Sequence, residues 1–120
     1  MAYKILLVDD EPDIVQIISF RLEKAGYDVD IAVDGAGAMK AYEKGCPDLI
    51  LLDVMLPDME GFDVCAKIKA ADPQQKIIIY TAKVDGVDAA KARNCGADEF
   101  TVKTTDLKFI LEAIQNLLSA

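Results

Sequence analysis

Three aspartates, a threonine and a lysine close successive apolar runs of this chain. Asp9 and Asp10 end "ILLVDD", Asp53 ends "DLILLD", Thr81 ends "KIIIYT" and Lys103 ends "EFTVK". Gathered at one edge of a sheet, the three carboxylates repel one another until a cation neutralises them. An oxygen-only donor set, with no His or thiolate in it, suits a hard ion: Mg²⁺ ahead of Ca²⁺, with Mn²⁺ as a substitute. Lys103 adds a fixed positive charge and Thr81 a hydroxyl donor, so the set makes a cradle for a phosphoryl group. Asp53, at the end of the most apolar run, is the carboxylate placed to attack phosphorus. Each residue alone has a plainer reading. Acids at a helix start meet the helix dipole, Thr is a good strand former, and a Lys after a strand is usually solvated. The chemical reading rests on their convergence.

The elements that must position them follow from hydrophobic periodicity. Tyr3 to Val8 reads as a buried strand, and Pro12 opens an amphipathic helix that ends near Gly26. Tyr27 to Val33 alternates with period 2, as expected of an edge strand. Asp34 caps a helix to Lys44 with Gly45 as its stop, and Asp48 to Asp53 is apolar inside, like a central parallel strand. A helix from about Phe62 to Ala71, a strand from Lys76 to Thr81, a helix over roughly Val87 to Cys95, a strand near Glu99 to Val102 and a helix from about Asp106 to Leu118 complete the pattern. Five strands alternating with five helices imply an α/β doubly wound fold, a parallel sheet with helices on both faces. Ligands bind such sheets beyond the carboxyl ends of the strands, where the five chosen residues fall.

Composition excludes several classes. The 120 residues, 52% hydrophobic, suit one domain over 1–120 with one layered core. No apolar stretch is long enough to span a bilayer and the N-terminus lacks a signal pattern, so a cytoplasmic protein with no membrane partner is expected. A net charge of −8 argues against direct contact with nucleic acid. The absence of His removes Ser-His-Asp and Cys-His nucleophile systems, His-based zinc sites and any phosphohistidine role. Cys46, Cys65 and Cys95 are odd in number and widely spaced, which reads as free thiols.

Four stretches, "LLVDDEP" at 6–12, "PDLILLDVMLPDMEGFDV" at 47–64, "IIIYTA" at 77–82 and "GADEFTVK" at 96–103, resemble the receiver domains of two-component response regulators. Within them "DVMLPDMEG", with Pro57 and Gly61 at fixed offsets from Asp53, is the most specific. The resemblance covers essentially the whole chain. It implies a (βα)5 flavodoxin-like fold with the sheet order 2-1-3-4-5. It further implies that Asp53 takes a phosphoryl group from the phosphohistidine of a sensor histidine kinase or histidine phosphotransfer protein. Asp10 and Asp53 would bind Mg²⁺ directly, Asp9 largely through water, and Met55 through its backbone carbonyl. Thr81 and Lys103 would hold the phosphoryl oxygens, and Phe100 would be the aromatic switch that moves inward with Thr81. One departure stands out: the family lysine is followed by a proline in a cis peptide, whereas Thr104 follows Lys103. A cis bond costs about 2.5–4 kcal/mol before Thr against about 0.5–1 before Pro. The site therefore either keeps a strained cis bond or has relaxed to trans. Lys83, two residues beyond Thr81, also flanks the site.

On the first helix, Ile14, Val15, Ile18, Leu22 and Ala25 form the inward face, with Ile17 at its border and Phe20 pointing away. By the resemblance, Ile17 and Phe20 lie where a kinase docks. The face made by the fourth helix, fifth strand and fifth helix, with Phe109, would meet a downstream protein or linked output domain. The expected product is a phosphorylation-controlled switch rather than a turnover enzyme, assisting its own phosphotransfer and dephosphorylation. Two competitors remain: an aspartyl phosphatase, which would need D-x-D where Asp9-Asp10 stand, and an interaction module whose switching is impaired. The glycines of "DGAGAMK" follow the second strand and do not complete a dinucleotide motif.

Overall fold

The computed structural model describes residues 2–81, 90, 91, 93–102 and 107–119. Its strands are β1 (Lys4–Val8), β2 (Asp28–Ala32), β3 (Leu49–Asp53), β4 (Lys76–Thr81) and β5 (Glu99–Val102). Helices α1 (Pro12–Lys24), α2 (Gly35–Gly45) and α3 (Gly61–Ala71) follow the first three strands, and a last helix spans Lys108–Ser119. Residues 90, 91, 93 and 94 are helical and belong to the helix expected over 87–95; the rest of that span up to residue 89, with Ala92, lies outside the described residues.

All strand pairs are parallel, in the order β2-β1-β3-β4-β5. The order and the helices on both faces match the expected flavodoxin-like architecture. Successive side chains of a strand point to opposite faces, so each central strand feeds two cores. Leu6, Ile50, Leu52, Ile77 and Ile79 pack with Ala38 of α2 and Phe62, Val64 and Ile68 of α3. Ile5, Leu7, Leu51, Ile78 and Tyr80 pack with Ile18 and Leu22 of α1 and Ile110 and Ile114 of the last helix. Burying each such aliphatic side chain contributes roughly 1.5–3 kcal/mol. Every residue of β3 is buried, as its apolar run requires, whereas β2 buries only Ala32 and lies at the edge.

Local signals act as expected at most element ends. Pro12 stands at the start of α1, with Asp13 in the first turn and Arg21 and Lys24 in the last. The Asp34 carboxylate caps α2 by accepting from the Gly37 N–H at 2.6 Å. The end of α2 differs: the helix includes Gly45, and Cys46 takes the left-handed conformation at φ 46°. The Cys46 N–H still reaches the Tyr42 carbonyl, so the ladder continues one residue further. Gly45 serves close approach instead, because its carbonyl accepts from Lys4 Nζ and a Cβ there would lie 3.3 Å from Asp30 Oδ2. Among the described residues, no helix is long and apolar enough to cross a membrane.

Candidate functional site

The chain leaves β1 through Asp9, whose N–H still donates to the Ala32 carbonyl of β2 at 3.1 Å. Its side chain is 0% exposed, held from two directions. Oδ1 accepts from the Glu11 N–H at 3.0 Å, a local turn that redirects the chain into α1. Oδ2 accepts from the Tyr80 hydroxyl at 2.5 Å, a bond across the sheet between residues 71 apart in sequence. Burial first, and then the charge of Asp9, push the Tyr80 hydroxyl well above its ordinary pKa, so it remains a proton donor. Asp10 and Glu11 are exposed beside it.

Asp53 ends β3, is 4% exposed and pairs in register with Tyr80. Its Oδ1 faces the Met55 N–H at 3.5 Å, at the limit of a hydrogen bond. Beyond it, the Gly61 N–H donates to the Val54 carbonyl at 2.6 Å, and Met55 bridges Glu60. This closure brings Gly61 against the strand end, where an added Cβ would lie 2.0 Å from the Asp53 carbonyl oxygen. Only glycine fits, which gives the glycine at that offset a steric reason. Asp58 ties the same loop to α2 by accepting from the Gly35 and Ala36 N–H groups at 2.7 and 3.0 Å. Those two bonds hold its carboxyl below the usual carboxylate range.

One carboxylate oxygen from each of Asp9, Asp10, Glu11 and Asp53 lies within 4.8 Å of the others. The expected trio thus meets, and Glu11, read from the sequence as helix-start chemistry, joins it. Thr81, one residue beyond Tyr80, is buried at the same edge. Phe100 is half-buried, pairs in register with Ile79 and packs against the α2–α3 side of the sheet. By strand alternation Thr81 shares that face. The Met55 side chain is 76% exposed and turned outward. Lys103, Thr104 and Lys83 lie outside the described residues.

The family model for the response regulator receiver domain matches residues 5–115. The chain belongs to this family. As a receiver domain it is a phosphoacceptor component of two-component signalling. The alkaline phosphatase synthesis transcriptional regulatory protein PhoP of Bacillus subtilis is 43% identical over 103 residues, which make up 86% of this chain and 43% of that protein. The response regulator ArlR of Staphylococcus saprophyticus is 39% identical over 115 residues, 96% of this chain and 52% of that one. The receiver domain thus spans about half the length of these curated relatives. Among solved structures, a CheY-like receiver domain protein from Methanospirillum hungatei superposes with a TM-score of 0.93 at 31% identity, over 99% of this chain and 95% of that one. The response regulator TrrA of Thermotoga maritima, in complex with Mg²⁺ and beryllium fluoride, gives 0.90 at 32% identity, over 98% and 99%.

On the receiver's surface Ile17 and Phe20 of α1 are exposed, Phe20 by 64%, and Lys24 Nζ lies 6.0 Å from the Phe20 ring centre. Next to them a groove of about 390 Å³ runs from Asp9 and Asp10 between α1 and the edge strand, with Ile31 and Val33 exposed along it. Those two had a visible signal, the period-2 alternation of the β2 segment. Phe109 of the last helix is exposed beside β5 and lines a second groove with Phe100 and Val102. Sequence reasoning missed two polar anchors. Asp58 was legible only as part of a motif, and the Tyr80 hydroxyl only as part of an apolar run.

Proposed function

We propose that Asp53 is the phosphoacceptor of this receiver domain, and that its nucleophilic oxygen displaces the imidazole of a phosphohistidine on a sensor histidine kinase or phosphotransfer protein. The new bond joins an Asp53 oxygen to phosphorus, the nitrogen–phosphorus bond breaks, and the electron pair leaves with the imidazole. The observation carrying this reading is the convergence of four carboxylates within 4.8 Å around a buried strand-end aspartate. The oxygen-only donor set fits a hard divalent ion. Asp10 and Asp53 would hold Mg²⁺ directly, with the Met55 carbonyl, and Asp9 through water. When bound, the ion supplies positive charge that offsets the repulsion among the carboxylates and the transferring oxygens. The Thermotoga maritima regulator, solved with Mg²⁺ and beryllium fluoride, supports the same chemistry in a relative.

Thr81 donates its hydroxyl to a phosphoryl oxygen, and Lys103, by family likeness, supplies the cation. Phe100, on the Thr81 face, is the switch side chain, and Ile17 and Phe20 meet the phosphodonor. The domain acts as a switch in the cytoplasm, assists its own phosphorylation and dephosphorylation, and passes its state through the β5 and last-helix face to a downstream protein or linked output domain. The test is intact-mass spectrometry after incubation with Mg²⁺ and acetyl phosphate, on wild type and Asp53→Ala. One phosphoryl adduct on wild type and none on the variant supports the assignment. An equal adduct on both places the acceptor elsewhere.

A further inference from the structure

Among the described residues Tyr80 is the bulkiest wholly buried side chain, near the end of a strand that is aliphatic from Ile77 to Ile79. Its ring packs in the cluster that joins Ile18 and Leu22 of α1 to Ile110 and Ile114 of the last helix. A buried phenol needs a partner for its hydroxyl. Here the partner is the Asp9 carboxylate, at the 2.5 Å separation of a charge-assisted bond. Asp9 Oδ1 is meanwhile fixed by the Glu11 N–H. Two donors on two separate elements therefore set both the place and the rotation of one carboxylate in the acidic cluster.

We propose that Tyr80 is a positioning residue for the cation site: its hydroxyl, anchored by the core, orients Asp9 toward the ion that Asp10 and Asp53 hold. This rests on the cation reading given above. Groups that hydrogen-bond a ligating side chain from behind change metal affinity without touching the metal. A ring that merely filled the core would do the same work without its hydroxyl. Tyr80 also ties the site to the core shared with the last helix, because the ring that fixes Asp9 belongs to the same buried cluster as Ile110 and Ile114.

The experiment is calorimetric titration of Mn²⁺ into wild type, Tyr80→Phe, Asp9→Asn and the double variant, with circular dichroism melts in EDTA. Tyr80→Phe is expected to bind Mn²⁺ about tenfold more weakly than wild type. Adding Tyr80→Phe to Asp9→Asn is expected to change the affinity by less than about twofold, because the hydroxyl acts through that carboxylate. This second comparison also serves if Tyr80→Phe alone fails to fold. Wild-type affinity in Tyr80→Phe, or a further tenfold loss in the double variant, overturns the proposal. Absence of saturable Mn²⁺ binding by wild type would sink the cation reading and this proposal together, whereas unchanged binding by Tyr80→Phe alone sinks only the role of Tyr80.

Discussion

Replacing Asp10 with asparagine should make the metal-free receiver more stable. One Asp10 oxygen lies within 4.8 Å of an oxygen from each of Asp9, Glu11 and Asp53. Two unit charges at that separation repel by about 0.9 kcal/mol in water, and salt near ~0.1 M leaves roughly 60% of it. Three such pairs sum to roughly 1.5–2.5 kcal/mol. Asp9 and Glu11 flank Asp10 in the chain, so part of their repulsion survives unfolding and cancels. The net gain for Asp10→Asn is therefore about 1–2 kcal/mol, of which the Asp53 pair, the one that unfolding wholly removes, supplies about 0.5–0.9 kcal/mol. With an unfolding entropy of about 2.1 cal/mol/K per residue over this chain, that raises Tm by about 4–8 °C. Circular dichroism melts in EDTA measure it directly. In millimolar Mg²⁺ wild type should gain stability and the variant far less, so the gap narrows or reverses. An Asp10→Asn protein no more stable than wild type in EDTA would refute the claim that these carboxylates strain one another in the folded state.

Gly61→Ala should cost more than about 2 kcal/mol in urea unfolding, because the new Cβ meets backbone rather than a yielding side chain; a neutral result would contradict the close approach to Asp53. The Asp58 carboxyl, held below its ordinary value by the Gly35 and Ala36 N–H groups, stabilises the fold fully above the unfolded carboxylate pKa. That contribution is lost as pH falls through the lowered value, so Asp58→Asn should be less stable at neutral pH and lack this part of the acid limb of a Tm–pH curve. Of the thiols, Cys95 is lowered to about 7, chiefly by its hydrogen bond with Cys65, while the same bond and burial push wholly buried Cys65 up. Iodoacetamide should label Cys46 and Cys95 in the native protein, Cys95 with a midpoint below that of an ordinary thiol, and Cys65 only in denaturant, as read by peptide mass mapping. Phe20→Ala should slow phosphotransfer from a cognate kinase yet leave labelling by acetyl phosphate and stability unchanged within about 0.5 kcal/mol; equal loss with both donors would assign Phe20 to folding.

Much of this architecture was legible because a parallel sheet writes itself strongly into sequence. A strand buried on both faces must be apolar throughout, as β3 is, and an edge strand alternates, as Tyr27 to Val33 does. The acidic cluster was legible for a related reason: charged residues that abruptly end apolar strands mark the carboxyl edge, where such folds bind ligands. Hidden were the polar bonds between distant segments. The hydrophobic period tells which face Tyr80 takes, but its partner Asp9 is 71 residues away and nothing local encodes it. Asp58 was hidden likewise, since its donors Gly35 and Ala36 lie 23 and 22 residues upstream. Cys46 escaped because the glycine before it carried the usual stop signal while serving a tight contact with Lys4 and Asp30.

Strand register, more than the count of acids, is what builds the site. Val8 pairs with Leu52, Asp53 with Tyr80 and Thr81 with Val102, so the strand ends arrive in step at one edge. Because side chains alternate with period 2, Tyr80 and Thr81 leave β4 toward opposite faces. The tyrosine ring turns to α1 and the last helix, with its hydroxyl under Asp9, while Thr81 shares the face of Phe100. A slip of one residue would exchange the two, leaving the Asp9 carboxylate buried without the phenol and moving the threonine hydroxyl off the Phe100 face. The unlike ends of the Ile77–Ile79 run oppose that slip, since one direction carries half-buried Lys76 into the wholly buried place of Ile77 and the other puts the Tyr80 ring in the place of Ile79. The apolar run before Asp53 and the one before Thr81 are therefore part of the candidate site in an energetic sense. Register fixes, to a single residue, which hydroxyl faces the acidic cluster and which faces Phe100.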